Sequence, residues 1–191
     1  MKILLLNGHP DEGSFSDSIA GVYSGAAREA GHSVQAVAIR NLKFDPVFHG
    51  GFHGARPVEA DILAQQDLIR WCDHLVIVTP NWWWSAPALL MGYIDRVFLP
   101  EFAVRYHKRF PYAEPLLRGH SARVIYTQNS PWLAGWLSRK DLFWRWIRGC
   151  VLRYCGFYPV RRLALYGADE TSEVERAGFL AEVADLGRGA R

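Results

Sequence analysis

Two serines and a histidine follow the first apolar run of the chain, in residues 7–16 with the sequence N-G-H-P-D-E-G-S-F-S. Ser14 and Ser16 stand where an amphipathic segment begins, so their hydroxyls and the free N–H groups of a helix N-terminus would face an anion. His9 adds a third donor. The segment lacks the glycine patterns of dinucleotide and nucleotide-triphosphate loops. We therefore predict a phosphate site of another kind, and a helix N-cap at Ser14 or Ser16 is the alternative interpretation.

Three adjacent tryptophans, Trp82, Trp83 and Trp84, occupy a second segment that follows an apolar run. Three such side chains cannot all enter one core, so at least one faces solvent, a ligand or a partner chain. A flat ring such as isoalloxazine offers a π-face, and each aromatic contact contributes on the order of 1 kcal/mol beyond area burial. Backbone N–H groups of the same loop would bond the ring's N1, N5 and carbonyls. A ring contact is predicted, with an oligomer interface as a compatible alternative.

A third polar segment, residues 127–132, offers amide and hydroxyl groups for the other edge of such a ring. All three segments follow predicted strands. Strands are predicted over residues 2–7, 33–39, 74–80, 123–128 and 161–166, and helices over residues 15–30, 57–71, 87–97 and 141–154, with a last helix capped by Thr171 or Ser172. This alternation predicts an α/β fold, a doubly wound parallel sheet with helices on both faces, in a single domain over residues 1–191. Ligands of such sheets bind beyond the carboxyl ends of the strands.

The composition is typical of a globular protein without a dedicated nucleic-acid surface. Half of the 191 residues are hydrophobic, 21% are charged, and the net charge is +3. Three cysteines, Cys72, Cys150 and Cys155, form no C-x-x-C pair, which argues against a disulfide framework and against a metal site. The N-terminal apolar run ends at Asn7, too early for a signal-peptide core or a membrane span. We therefore expect a cytoplasmic protein.

The same residues resemble the flavodoxin-like NAD(P)H:quinone oxidoreductases of the DT-diaphorase type. Residues 8–10 (G-H-P) and 14–16 (S-F-S) are similar to that family's phosphate loop. Residues 80–103 are similar to its flavin loop and following helix, through Pro87, Gly92, D-R-V-F at 95–98 and E-F-A at 101–103. The C-G-F at 155–157 also fits. The resemblance spans nearly the whole chain.

The resemblance implies a flavodoxin-like five-stranded sheet of order 2-1-3-4-5 and a noncovalent flavin. It also implies a homodimer with the site at its interface, and ping-pong transfer of hydride through flavin N5 from NAD(P)H to a quinone or similar small acceptor. The chain is short compared with the longer members and is without their large C-terminal domain, which favours FMN as the cofactor. FAD is the alternative. No residue is assigned as a catalytic acid or base.

By position, the resemblance implies twelve cofactor-binding residues: His9, Ser14, Phe15, Ser16, Pro80, Asn81, Trp82, Trp83, Trp84, Thr127, Gln128 and Asn129. Phe102 and Tyr106 fall where family members have an aromatic wall for the acceptor. The chain departs from the longer members after the fourth strand, where Gln128 and Asn129 replace paired glycines. No Tyr or His occurs between Thr127 and Arg153, so the Tyr and His that balance charge on the reduced flavin have no counterpart.

Two other functions remain open. An electron-carrying flavodoxin would dock through a strongly acidic face, which a net charge of +3 disfavours. A flavin-binding regulatory subunit of a potassium-efflux system is the second, because residues 132–148 interleave basic and aromatic side chains. We interpret that segment as an amphipathic helix packed on the sheet or in the dimer, with its arginines in solvent, and we expect no membrane contact.

Overall fold

Strand β1 (Lys2–Asn7) is apolar at nearly every position because both of its faces are covered. Ile3 and Leu5 point into one hydrophobic layer, and Leu4 and Leu6 point into the other. The computed structural model describes residues 1–51, 57–110, 112–130 and 141–190. Within these residues, β1 lies at the interior of a five-stranded sheet, which explains why its sequence does not alternate.

The remaining strands are β2 (Ser33–Ala38), β3 (His74–Pro80), β4 (Val104–Tyr106), β5 (Ala113–Pro115), β6 (Ser121–Gln128) and β7 (Val160–Tyr166). The α-helices are α1 (Phe15–Glu29), α2 (Ala60–Trp71), α3 (Ala88–Val97), α4 (Leu142–Arg145) and α5 (Glu173–Arg188). A 3₁₀ turn, Ile39–Asn41, follows β2, and a π-helix, Trp146–Arg153, continues α4.

The parallel sheet has the order β2-β1-β3-β6-β7, which confirms the predicted five-stranded parallel α/β fold. Counted among themselves, these strands stand in the order 2-1-3-4-5. The chain numbering differs because two three-residue strands that the sequence analysis did not predict, β4 and β5, form a separate antiparallel pair. In the sheet, Asn7 pairs with Val78 and Pro80 pairs with Thr127, so the carboxyl ends of β1, β3 and β6 lie side by side.

Helices cover both faces of the sheet. The layer that contains Ile3 also holds residues of α1 and α5, and the layer that contains Leu4 holds residues of α2, α3 and α4. In α4 and the π-helix, Phe143 and Ile147 are fully buried while Arg145 and Arg148 are exposed. This confirms the amphipathic interpretation for the part of segment 132–148 that begins at residue 141; residues 132–140 lie outside the described residues.

Three helix starts were predicted too early. The helix predicted from Asp141 begins at Leu142. The helix expected from Pro57 begins at Ala60, with Glu59 as an extended N-cap whose carboxylate pairs with Arg96 of α3. Pro87 is likewise an N-cap, and α3 begins one residue later. At the last helix, the N-cap is Ser172, whose hydroxyl accepts the backbone N–H of Glu175 at 3.3 Å.

The three cysteines are free thiols. Cys72 and Cys155 are buried, and burial raises the pKa of both thiols to about 12, so neither is a thiolate at neutral pH. Cys150 is exposed. Among the described helices, none combines the length and the apolar character that a bilayer span requires.

His74 at the start of β3 makes the fold sensitive to acid. It is 3% exposed, and burial together with the charges of Arg123 and Arg161 lowers the pKa of its imidazole to about 4. In the unfolded chain the His74 imidazole has a pKa near 6.5. Between pH 6.5 and pH 4 it is therefore protonated in the unfolded chain and neutral in the folded chain. The stability that depends on neutral His74 is complete above pH 6.5 and is lost as the pH falls toward 4.

We expect the free energy of unfolding to fall by about 1 kcal/mol between pH 7 and pH 5.5 because of His74 alone. Urea unfolding of a His74→Gln variant should show most of this dependence removed. His49→Gln, which changes an exposed imidazole, is the matched control and should keep the wild-type slope. The same slope in wild type and His74→Gln would contradict the prediction.

Candidate functional site

A cavity of about 660 Å³ opens beyond the carboxyl ends of β1, β3 and β6. Every residue predicted for the cofactor lines it except Ser14. Ser130 of the third predicted segment also lines it, and the lining residues outside the three segments are Ala168, Asp169 and Arg176. The strand order reverses at this edge, because the chain leaves β1 toward β2 on one side and then crosses to β3 on the other. Cavities at such a reversal are the usual ligand sites of open α/β sheets.

The first wall is the β1–α1 loop, where the two serines have separate roles. Ser14 is the N-cap of α1: its hydroxyl accepts the Asp17 N–H at 3.3 Å, and its own N–H donates to the Asp17 carboxylate at 3.1 Å. The structure therefore supports the N-cap interpretation for Ser14, which does not line the cavity, and its role in binding the cofactor stays a prediction. Ser16 lies in the first turn of α1, is 3% exposed and lines the cavity. Its hydroxyl and the N-terminal N–H groups of α1 are suited to an anion.

His9 in the same loop is held by its neighbours. Its Nδ1 accepts a hydrogen bond from the backbone N–H of Asp11 at 3.0 Å, and the backbone N–H of His9 donates to Oδ1 of Asn7 at 3.0 Å. Nδ1 also lies 3.2 Å from the Asp11 carbonyl oxygen; the shorter contact, with the Asp11 N–H, favours Nδ1 as the acceptor, and the neutral imidazole then carries its proton on Nε2. The ring also meets Trp82 edge to face, with 5.7 Å between ring centroids. His9 therefore brings an N–H donor to the cavity wall.

The tryptophan segment forms the second wall as a tight turn. Trp82 and Ser85 exchange two backbone hydrogen bonds of 2.9 Å, and Trp83 and Trp84 between them have φ values of 55° and 61°. Left-handed backbone costs a bulky residue roughly 1–2 kcal/mol. The side chain of Trp83 is 97% exposed. Neither Trp83 nor Trp84 donates its backbone N–H to another described residue, so this strained turn presents free donors and aromatic faces at the cavity.

The third wall is a set of amides fixed by one another. The backbone N–H of Asn81 donates to the Thr127 carbonyl at 2.8 Å, and its side-chain Nδ2 donates to Oε1 of Gln128 at 2.7 Å. Gln128 in turn donates to the Ser130 carbonyl at 3.3 Å. Within the described ranges, Oδ1 of Asn81 is buried without a hydrogen-bond partner. Asn129 donates to the carboxylate of Asp169 across the cavity. The wall therefore offers rigid polar groups of known orientation.

Arg176 also lines the cavity and was not predicted from the sequence. Its Nη2 donates to the Ala168 carbonyl at 3.0 Å, and its guanidinium lies 5.4 Å from the centroid of the Phe15 ring. This places a positive charge on the cavity wall beside α1. One signal was present in the sequence: a cation near the start of α5 opposes the helix dipole, which favours carboxylates there.

The structure does not bring Phe102 and Tyr106 to the cavity. Phe102 is 7% exposed in the core, with the guanidinium of Arg70 lying 4.8 Å from its ring centroid. Tyr106 is half-exposed on β4, and it lines a separate groove of about 230 Å³ together with Tyr154. Within one chain, therefore, neither residue forms an acceptor wall. The reason is that α3 carries the chain from the carboxyl edge of the sheet, where β3 ends, back toward the opposite edge, where β6 begins.

The cavity suits a flavin by the chemistry of its donors. Aromatic faces and free N–H groups meet at the tryptophan turn, and oriented amides lie at the third wall. The N-terminus of α1, Ser16 and Arg176 are suited to one phosphate group. Residues 1–186 match the family model described as flavodoxin-like fold. The chain belongs to this family.

Three similar proteins place the chain further. The crystal structure of Smu.1420 from Streptococcus mutans UA159 is 32% identical, with a TM-score of 0.88 over 99% of this chain and 100% of that chain. Ribosyldihydronicotinamide dehydrogenase [quinone] of Pongo abelii is 25% identical over 206 residues, which are 94% of this chain and 87% of that protein. The NAD(P)H:quinone oxidoreductase of Methanothermobacter marburgensis shares the fold at 21% identity, with a TM-score of 0.87 over 100% and 99% of the two chains. The chain is an oxidoreductase of the flavodoxin-like family.

Proposed function

We propose that the chain is a flavin-dependent NAD(P)H oxidoreductase that passes hydride to a quinone or a similar small acceptor in a ping-pong cycle. The observation that carries the proposal is the meeting of three walls in one cavity. Phosphate-binding groups of α1, the strained tryptophan turn, and the Asn81–Gln128 amides lie together beyond the carboxyl ends of β1, β3 and β6. The names of the relatives support the nicotinamide and quinone substrates.

FMN is the proposed cofactor, and the charges of the cavity wall support it. Among the described residues that line the cavity, Arg176 is the one guanidinium and Asp169 the one carboxylate. One cation with the N-terminus of α1 suits the single phosphate of FMN. Ser16 and Arg176 would hold the phosphate, and Nε2–H of His9 would donate to its open side.

A bound flavin supplies the group that accepts and donates hydride. The protein binds and orients it: Trp82 and Trp84 offer aromatic faces, and the free N–H groups of Trp83 and Trp84 are donors for ring acceptors. Preorganised donors of this kind stabilise negative charge that develops during a reaction. Trp83, exposed at the cavity rim, would keep water from one side of the ring. The acceptor would take its proton from water, so no side chain of the cavity is assigned as an acid or base.

We propose that the chain acts as a cytoplasmic homodimer. The groove lined by Tyr106, Tyr154 and Trp146 supports a second copy as the partner, because half-exposed aromatic side chains are enriched at the centre of interfaces. In such a dimer Tyr106 of one copy would supply the acceptor wall that the single chain lacks.

Purified protein tests the proposal through its visible spectrum. We expect a yellow protein whose chromophore, released by heat, has the mass of FMN. The bound chromophore should bleach with NADH or NADPH under anaerobic conditions and recover on addition of a soluble benzoquinone. The released chromophore at equal concentration is the control and should react far more slowly. A colourless protein that gains no flavin on reconstitution would overturn the proposal. A flavin that neither nicotinamide reduces would favour an electron carrier instead.

A further inference from the structure

The β1–α1 loop carries an electrostatic problem for a phosphate ligand. Asp11 and Glu12 stand in the loop, and Asp17 lies in the first turn of α1, one residue from Ser16. Burial opposes the ionisation of Asp17, but the hydrogen bonds from Arg40 and Ser14 outweigh it, and the pKa of the carboxyl falls below its usual value. Asp17 is therefore an anion at neutral pH. Carboxylates in this loop and in the first turn of α1 would repel a phosphate bound at the N-terminus of α1.

Arg40 brings a positive charge to the carboxylates of Glu12 and Asp17 from a distant part of the chain. It lies in the 3₁₀ turn that follows β2, at the same edge of the sheet as the cavity. Its Nη2 lies 3.0 Å from Oδ1 of Asp17, and its Nε lies 3.9 Å from Oε1 of Glu12. The side chain of Arg40 is only 15% exposed, so water screens its charge weakly.

Hydrogen bonding alone does not account for Arg40. Asp17 already accepts from Nδ2 of Asn7 at 2.6 Å and from the N–H and hydroxyl of Ser14, at 3.1 Å and 3.2 Å. The capping box of α1 is complete without the guanidinium. Moreover, Nε and Nη1 of Arg40 are buried without hydrogen-bond partners in the described part of the chain. Buried donors without partners are destabilising, so support of the helix cap alone does not explain why an arginine occupies position 40.

We propose that Arg40 is a positioning residue for the phosphate of the bound flavin: it neutralises the carboxylates of the β1–α1 loop, so that Ser16 and the N-terminus of α1 accept a dianion. This inference rests on the proposed function and adds to it a residue that affects the phosphate without contacting it. Arg40 does not line the cavity, and its effect on the ligand is electrostatic. The consequence is a specific preference for flavins that carry phosphate, because only their binding depends on the charge of the loop.

The test compares FMN with riboflavin, which has the same ring and no phosphate. Apo-protein is titrated with each flavin, and the quenching of flavin fluorescence gives the two dissociation constants. Arg40→Met keeps the side-chain length and removes the charge. We expect the dissociation constant for FMN to rise about tenfold at low ionic strength, while that for riboflavin stays within about twofold.

Further variants separate charge from structure. Arg40→Lys keeps the charge and should keep most of the preference for FMN. Glu12→Lys changes a side chain that is 81% exposed, so it should fold normally; it should tighten FMN binding and leave riboflavin binding unchanged. Arg28→Met removes an equal charge at the far end of α1 and is the matched control. It should leave the ratio of the two dissociation constants unchanged.

The outcomes distinguish this inference from the proposed function. If Arg40→Met weakens FMN and riboflavin equally, Arg40 only shapes the loop and the inference is wrong. Unchanged FMN affinity in both Arg40→Met and Glu12→Lys also overturns it, while the proposed function stands. Wild-type apo-protein that binds neither flavin overturns the proposed function itself, and the role of Arg40 with it.

Discussion

Ser16→Asp is expected to weaken FMN binding by roughly a hundredfold or more, whereas Ser18→Asp should bind FMN like the wild type. Both substitutions put a carboxylate into the first turn of α1, and both gain the same favourable interaction with the helix dipole. They differ in where the side chain points. Ser16 is 3% exposed and lines the cavity, while Ser18 is exposed to solvent. Only the carboxylate at residue 16 would occupy the position proposed for the phosphate.

Fluorescence titration of the apo-proteins with FMN measures this effect, and the unfolding temperature shows whether each variant folds. Because the repulsion acts on the phosphate, riboflavin should lose less affinity than FMN in Ser16→Asp. Ser16→Ala gives a milder second variant that removes only the hydroxyl donor, and it should weaken FMN binding by about tenfold. FMN affinities within fivefold of each other in Ser16→Asp and Ser18→Asp would place the phosphate elsewhere.

The position of the site was predictable because it depends on a rule about strands rather than on side-chain detail. Apolar runs ending at Asn7, Pro80 and Gln128 predict parallel strands, and parallel strands bring their carboxyl ends to one edge. The structure confirms that residues from the three segments meet in one cavity. The separate roles of Ser14 and Ser16 depend on a local pattern instead. Ser14 and Asp17 have the spacing of a capping box, and this local pattern assigns the N-cap to Ser14.

Arg176 and Arg40 could not be assigned from the sequence because each reaches the site from a distant element. Arg176 comes from α5 and Arg40 from the turn after β2, and their distance from α1 depends on how helices pack on the sheet. The strands β4 and β5 were missed for another reason. Each has three residues, too few to show a periodicity, and they pair with each other rather than with the main sheet.

The close contact of α1 with α5 makes the stability of the fold sensitive to substitution at Gly187. A Cβ atom added at Gly187 would lie 2.5 Å from the backbone carbonyl oxygen of Tyr23, nearer than atoms in contact allow. A backbone oxygen inside a helix cannot turn away as a side chain can, so the two helices must separate. We expect Gly187→Ala to lower the free energy of unfolding by about 2–3 kcal/mol, although alanine is the better helix former.

Gly178 provides the matched control on the same helix, because a Cβ atom there meets nothing within 4 Å. Gly178→Ala should raise the free energy of unfolding by about 0.5–1 kcal/mol, and urea unfolding measures both variants. The two helices also bring Arg176 to Phe15, so Gly187→Ala should move that guanidinium from the cavity wall and weaken FMN binding several-fold. Riboflavin binding should change less. Equal stability changes in the two alanine variants would show that the helices tolerate the added methyl group, and the close approach would then not be what positions Arg176.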